Sequence, residues 1–595
     1  MNGFGKTLFW FSEENLTLEV PFFQRPYVWD EDNWGSLINS IQNASDKSMP
    51  FIGSFILQEK ENNNYWVIDG QQRITTLSIL IKSLLDYYKD LNPQVRTVFE
   101  GIIYRSEVAD IDNIINIPRL VPAYIDKGEY DIVMSQEVSK DKVEALKTNI
   151  AKCYLYFYNY FESLGLAELK VFASKLLTKD KYVIAITLDS KDDEQAIFDT
   201  VNSLGKRLTN SDIIKNFLYQ QMKSAANGNE ILIKQVLSHY KKYWEDIFYE
   251  GDRREFWDAR ISLGRITTTH LDAFLKDYGT IKKIYIPSES GGFDGLAKQY
   301  KSYILSLSND ELIEFSKELS SYANTYYEMK SAYMDCNDFR IRDYVTTTLL
   351  ILDKLEISTF NPYILQLYKL NESDRDSKLL ALQRFVLKRF LWKATIKNYN
   401  KCCLNLLESS NPNSYLDSYN DQTIDVDWTA FPSGVKHVKN NQGTLLLFII
   451  EMIRRSKKGE DNYSDTLLYN KTLEHVLPQK WEKNWLNVPC YDRADDGQWL
   501  EIVEYEEVFK QRRAKIYSLG NMTLLASKLN TSISNEAFKY KIEGKKEKGI
   551  KYFVGTLSVA QEIVDSYNEE PNWDERKIIE RESALLEELK AYYKF

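Results

Sequence analysis

Apolar residues recur along this chain at two spacings. Through most of it they fall three and four apart, the period that gives a helix one buried stripe. Trp34, Leu37, Ile38 and Ile41 mark such a helix behind Asp30, a residue suited to cap its amino end. Ile74, Leu77, Ile81, Leu84 and Leu85 predict a second, from Gln71 to about Tyr88. The same period runs through Ile231 to Trp244, Leu379 to Phe390 and Glu575 to Tyr593, the last capped by Asp574. Thr209 to Ser211 opens another helix. Shorter runs rich in β-branched and aromatic residues predict strands at 51–57, 65–68 and 182–188. Polar breaks fall at 287–292 and 409–414. The predicted fold class is α+β and predominantly helical. An α/β domain spans 1–225, a helical connector 226–440, and a third domain 441–595.

Composition narrows the class. The 595 residues are 44% hydrophobic and 27% charged, as in a soluble globular chain with room for two to four domains. No apolar run reaches membrane-span length, and Met1 to Lys6 does not open a signal peptide, so no membrane partner and a cytoplasmic location are expected. Five cysteines without a CxxC pair indicate neither a zinc site nor a disulfide framework. The 40 tyrosines fit helix packing better than base stacking. A net charge of −10 speaks against non-specific nucleic-acid binding over the whole surface. Yet Lys510 to Lys551 holds eleven Lys and Arg against three Glu, +8 over 42 residues. Such a run suits tracking phosphates.

That basic run flanks the most chemical stretch of the chain. In Lys471 to Gln479, Glu474 stands beside His475; Asn521 and Asn530 follow, nine residues apart. A phosphodiester needs an activated water and a cation to offset charge on the scissile phosphate. A neutral histidine can take the water's proton, and a hard cation such as Mg²⁺ wants oxygens of the kind Glu474 and the Asn530 amide supply. This is the pattern of a ββα-metal (HNH) nuclease. A second junction, Asp69-Gly70-Gln71-Gln72-Arg73, joins a strand to a helix through a tight turn and offers amide groups and a guanidinium to an anion. No Walker A pattern occurs. By itself this junction reads as a structural turn.

Taken together, these stretches resemble one family. Glu474 to Gln479, Leu519 to Leu525, Asn530, Ser534-Asn535 and Phe538 resemble the HNH half of the GmrSD restriction endonucleases. Gln24 to Trp29, Asp69 to Thr76, and Ile197 to Thr209 continuing through Asp212 and Lys215 resemble its ParB-like, GmrS-type domain. The resemblance implies His475 as general base, Asn521 as the residue orienting its loop, and Glu474 and Asn530 as ligands of Mg²⁺ or Mn²⁺. It implies ATP, GTP or another nucleoside triphosphate at Gln24, Arg25, Asp69, Gly70, Gln72 and Arg73, with Asn202, Lys206 and Lys215 as further candidates. Lys528, Asn535, Lys539 and Lys541 are expected on double-stranded DNA, and Tyr27 and Trp29 in an aromatic cage for a modified base. The implied function is a type IV, modification-dependent restriction endonuclease of phage defence, cutting DNA with modified cytosines under nucleotide control. Alternatives of the same architecture are a phosphorothioate-sensing NTPase-nickase and an RNA-directed abortive-infection nuclease. Homodimerisation is left open.

Overall fold

The computed structural model describes the chain apart from residues 1, 44–51, 61–62, 111–112, 178–182, 189–208, 227–228, 265, 288–291, 420–425, 460–465, 495–496, 527–534, 545–548, 553 and 556. It divides into two compact units, Met1–Trp257 with Asp294–Lys317, and Asp258–Phe293 with Glu318–Phe595. Residues 226–440, expected as a helical connector, fall partly in each unit.

The first unit is built on a six-stranded sheet. Its strands are β1 (Asn2–Lys6), β2 (Thr17–Glu19), β3 (Gly53–Glu59), β4 (Asn64–Asp69), β5 (Leu120–Val121) and β6 (Val183–Leu188), in the order β1-β6-β3-β4-β2-β5. The β3–β4 hairpin is antiparallel, whereas β3 with β6 and β2 with β4 are parallel. Helix α1 (Glu31–Gln42) starts where expected, the Asp30 side chain accepting from the Asn33 amide, and buries Trp34, Leu37, Ile38 and Ile41. Helix α2 (Gln71–Tyr87) follows β4 after a single residue. Gly70 makes that junction at φ +96°, where a Cβ would lie 2.6 Å from the Phe55 ring. Helix α3 (Asn210–Ala225) is capped by Thr209. The helix expected over Ile231 to Trp244 gives way to a π-helical turn at Lys241–Glu245.

The second unit is organised by helix α4 (Asn440–Lys458), whose Leu445 to Ile450 are all buried, so it is covered on every side. It packs on an antiparallel pair, β7 (Lys471–His475) and β10 (Met522–Ala526), with Glu474 opposite Thr523 and His475 opposite Met522. The long connection between them holds the β8–β9 hairpin (Cys490–Arg493, Trp499–Ile502) and helix α5 (Tyr505–Ile516). Helices α6 (Phe538–Glu543), α7 (Ser558–Glu569) and α8 (Glu575–Tyr593) close the unit, α8 capped by Asp574 as expected. The segment expected to return Asn530 lies outside the described residues.

Candidate functional site

Two sites gather the residues singled out above. In the first unit, the coil Pro21 to Trp29 is stitched to the β4–α2 junction by glutamines. Gln24 Nε2 donates to the carbonyls of Val67 (3.0 Å) and Ile68 (3.3 Å). Gln72 accepts from Val28 N (2.8 Å) and donates to Pro26 O (3.1 Å), and Gln71 donates to Arg25 O (3.3 Å). Gln24 and Gln72, expected to touch nucleotide, thus spend these amide groups on holding the chain.

Charged groups meet at that junction. Burial raises the Asp69 carboxyl, against the pull of Arg73 and Arg25 and the Gly70 amide. Burial lowers the Arg25 guanidinium, which the charges of Asp212 and Asp69 support. Arg73 also donates to Ser54 O at 3.4 Å. Asp212, in the first turn of α3, lies 3.7 Å from the fully buried Lys215. Arg25, Asp69 and Arg73 are therefore brought together, and the charge of Asp212, from the third stretch that resembles the GmrS-type domain, acts on the same Arg25 guanidinium. Asn202 and Lys206 lie outside the described residues.

The aromatic-cage expectation is corrected. Tyr27 is only 3% exposed; its hydroxyl pairs with Thr76 Oγ1 (2.6 Å) and accepts from Trp34 Nε1 (2.8 Å), while its amide donates to Asp126 (2.8 Å). A ring so enclosed and so bonded is core, with no face for a base. Trp29 is half-buried against the same core.

In the second unit, Asn521 holds the loop that follows His475. Its Oδ1 accepts from Leu477 N (2.7 Å) and Trp573 Nε1 (3.1 Å), and its Nδ2 donates to Leu477 O (2.9 Å) and Ile516 O (3.0 Å). The Asn521 carbonyl accepts from Val476 N at 2.9 Å. Arg581 of α8 braces the turn by donating to the carbonyls of Gly520 (2.8 Å) and Met522 (2.6 Å). Every hydrogen-bonding atom of the Asn521 side chain is in use, and the loop has little freedom.

His475 is 8% exposed, and its Nε2 has no hydrogen-bond partner among the described residues. Burial, then the charge of Lys541, brings its pKa down to about 4. Its ring meets the edge of Tyr517 at 5.7 Å between centroids. Glu474 pairs with the ammonium of Lys541, which also donates to the His475 carbonyl at 2.6 Å. Burial raises the carboxyl and lowers the ammonium, and the attraction between them opposes both shifts. Lys541 is wholly buried, so it faces Glu474 and not DNA, which corrects its expected role. Arg512, counted in the basic run, is likewise buried, on Glu575 at 3.2 Å. Lys539 and Asn535 are exposed, as DNA contact requires, and Lys528 lies outside the described residues.

A metal can be tested against these donors. Among the described residues no three His, Cys, Asp or Glu gather as a cage. The one carboxylate expected as a ligand, Glu474, is held by the Lys541 ammonium, so a divalent ion bound there would have to take the place of that cation. Asn530, the other expected ligand, lies outside the described residues. Sequence reasoning placed Lys541 on DNA and missed Tyr517, Trp573 and Arg581; all four reach the site from other elements and leave no local pattern. No helix among the described residues is long and apolar enough to cross a membrane.

Comparison with known families agrees at both ends. A family model described as GmrSD restriction endonuclease, N-terminal domain, matches residues 6–219. One described as GmrSD restriction endonucleases, C-terminal domain, matches residues 386–588. No curated protein matches the chain.

Proposed function

Because the chain belongs to the GmrSD restriction endonuclease family, and its domains are those of a type IV restriction endonuclease, we propose that it hydrolyses DNA carrying modified cytosines from the His475 site, under control of a nucleoside triphosphate at the Asp69–Arg73 junction. The observation that carries this reading is the His475 Nε2, buried and without a partner among the described residues, just ahead of a loop that Asn521 fixes. Held neutral, that nitrogen is in the form that accepts a proton from water at cell pH. Glu474, with Asn530, would hold Mg²⁺ or Mn²⁺, which when bound offsets charge developing on the phosphate. In the first unit, Arg25 and Arg73 provide the positive charge for a triphosphate, and the Gly70 turn aims the amide groups of α2 at it.

The test is cleavage of unmodified, hydroxymethylated and glucosylated phage DNA with Mg²⁺ or Mn²⁺, with and without ATP or GTP. Modification-selective cutting is expected, falling by roughly 10²- to 10⁴-fold in His475→Ala. Equal cutting of all the DNAs would refute selectivity. Nucleotide hydrolysis without any cutting would refute the nuclease. An unchanged NTP affinity in Arg73→Ala would remove that residue from the nucleotide site.

A further inference from the structure

Glu451 lies in the middle of α4 and is wholly buried, among side chains that are apolar except for Arg455. A carboxylate is a costly occupant of such a place unless its oxygens are fully bonded. These oxygens are. Arg455 Nε donates to Oε1 (3.2 Å), and Oε2 accepts from Ser558 Oγ (2.6 Å) and Val559 N (3.1 Å). The last two groups open α7, a helix with no capping side chain of its own and no acid in its first turn. Glu451 therefore caps α7 from another helix and sets a negative charge at its positive end. An apolar contact would hold the two helices together and leave α7 free to turn and slide. Hydrogen bonds are directional, and these fix where the first turn of α7 sits.

What that turn carries leads to the base. The Val559 carbonyl accepts from Thr523 Oγ1 at 2.8 Å and from Arg581 Nη2 at 3.1 Å, which engages both its lone pairs. Thr523 is the cross-strand partner of Glu474. Arg581 Nη1 donates to the carbonyls of Gly520 and Met522, on either side of Asn521. Asn521 in turn holds the amide groups of Val476 and Leu477, the two residues after His475. The other edge of Arg581 is pinned from α4 as well. Its Nε donates to Glu562 Oε1 (2.6 Å), and the second oxygen of Glu562 lies 2.8 Å from Arg454 Nη2. Arg454 also forks onto Glu588 of α8, at 2.7 and 3.0 Å.

We infer that Glu451 is a positioning residue for the nuclease site. By fixing the first turn of α7 it sets, through the Val559 carbonyl, the place of β10 against β7, and with it the loop that follows His475. Its effect on cutting rests on the nuclease reading, whereas its hold on the His475 loop does not.

Replacing both members of the buried pair, Glu451→Leu with Arg455→Met in the full chain, separates position from stability. Apolar substitutes for a buried ion pair are often neutral or stabilising, so the melting temperature should be kept or raised. Hydrogen exchange over residues 471–479, read by mass spectrometry, should nevertheless quicken severalfold, because Val476 and Leu477 lose their fixed partner. On phage DNA that the parent cuts, kcat should fall by roughly 10- to 100-fold with KM unchanged, the size of effect a misplacement of about 1 Å produces. Glu451→Gln keeps an oxygen for the Val559 amide and should retain most of the protection and most of kcat. Leu365→Ala, wholly buried in the helix Asn361–Leu367 of the same unit, is the control for stability. It should lower the melting temperature and leave both readouts unchanged. A folded double variant with the parent's exchange and kcat would overturn the assignment. If the double variant does not fold, Thr523→Val decides, since it removes one bond to Val559 and leaves Arg581 on that carbonyl. Exchange over 471–479 at the parent's rate in Thr523→Val would then overturn it. Faster exchange in the variants, with no cutting even by the parent, supports the role of Glu451 and counts against the nuclease.

Discussion

Lys541 is a residue whose type says little and whose place says much. By sequence it is one of eleven cations in a basic run; in the fold its ammonium is buried on Glu474 and on the His475 carbonyl. Deleting one partner of a buried pair strands the other, at a cost of about 3–5 kcal/mol, far more than a surface pair is worth. Lys541→Met and Glu474→Gln should therefore each destabilise by about that much, and the double variant should recover a large part of it. Urea unfolding of the three variants checks this, and simple additivity would sink the pairing. Tyr27 makes the same point from the first unit, its hydroxyl engaged by Thr76 and Trp34. Neither fate is legible locally, because a lysine is buried or a tyrosine enclosed by partners distant in sequence. The identity of His475 and Asn521 as neighbours was legible, since the residue types that fix a histidine loop are few and lie at the ends of two adjoining strands.

At the scale of elements, periodicity and capping carried well. Asp30, Thr209 and Asp574 all accept from first-turn amide groups, because a short oxygen-bearing side chain ahead of an apolar period leaves few alternatives. Contacts between elements were not encoded so simply. The turn around Asn521 is set by α8, through Trp573 just ahead of it and Arg581 within it. The two approach so closely that a Cβ on Gly520 would lie 2.0 Å from Ile578 O, a backbone atom that cannot rotate away. Gly520→Ala is expected to cost about 1–3 kcal/mol or more by overpacking and to lower cleavage with it, since the displaced turn carries Asn521. Gly128→Ala is the control. It lies in the helix Tyr124–Val133 with nothing within 4 Å of its Cβ position, and should gain about 0.5–1 kcal/mol. Calorimetry on both variants decides whether close approach, and not glycine content, sets the difference.

At the scale of the molecule, the chain crosses between units more than once, which no local period announces, because a break at 287–292 looks the same whether the chain stays in a body or leaves it. Long-range electrostatics is equally silent in sequence, and Asp126 shows its consequence. Its carboxylate accepts the Tyr27 amide beneath the coil that carries Arg25, and burial pushes its pKa up to about 7, with Arg254 and Lys215 opposing and Glu129 adding to the rise. Glu245 is raised to about 7 as well, by burial and then Asp246. A carboxyl whose folded pKa exceeds its unfolded one near 4 stabilises the protein fully only below that lower value. The contribution then declines by about 1.4 kcal/mol per pH unit for each such group until the folded pKa is passed. His239 works in the opposite sense over part of this range. Burial holds it at about 4, so its contribution is present above 6.5 and lost as the pH falls. The parent chain thus mixes both signs, and the Asp126 share is isolated by comparison with Asp126→Asn, which keeps an oxygen for the Tyr27 amide. Relative to that variant, the parent should lose stability steadily from pH 5 to 7 and change little above 8, measured by urea unfolding at each pH. A difference that stays constant over that range would mean Asp126 remains ionised in the fold, and that the surrounding cations outweigh its burial.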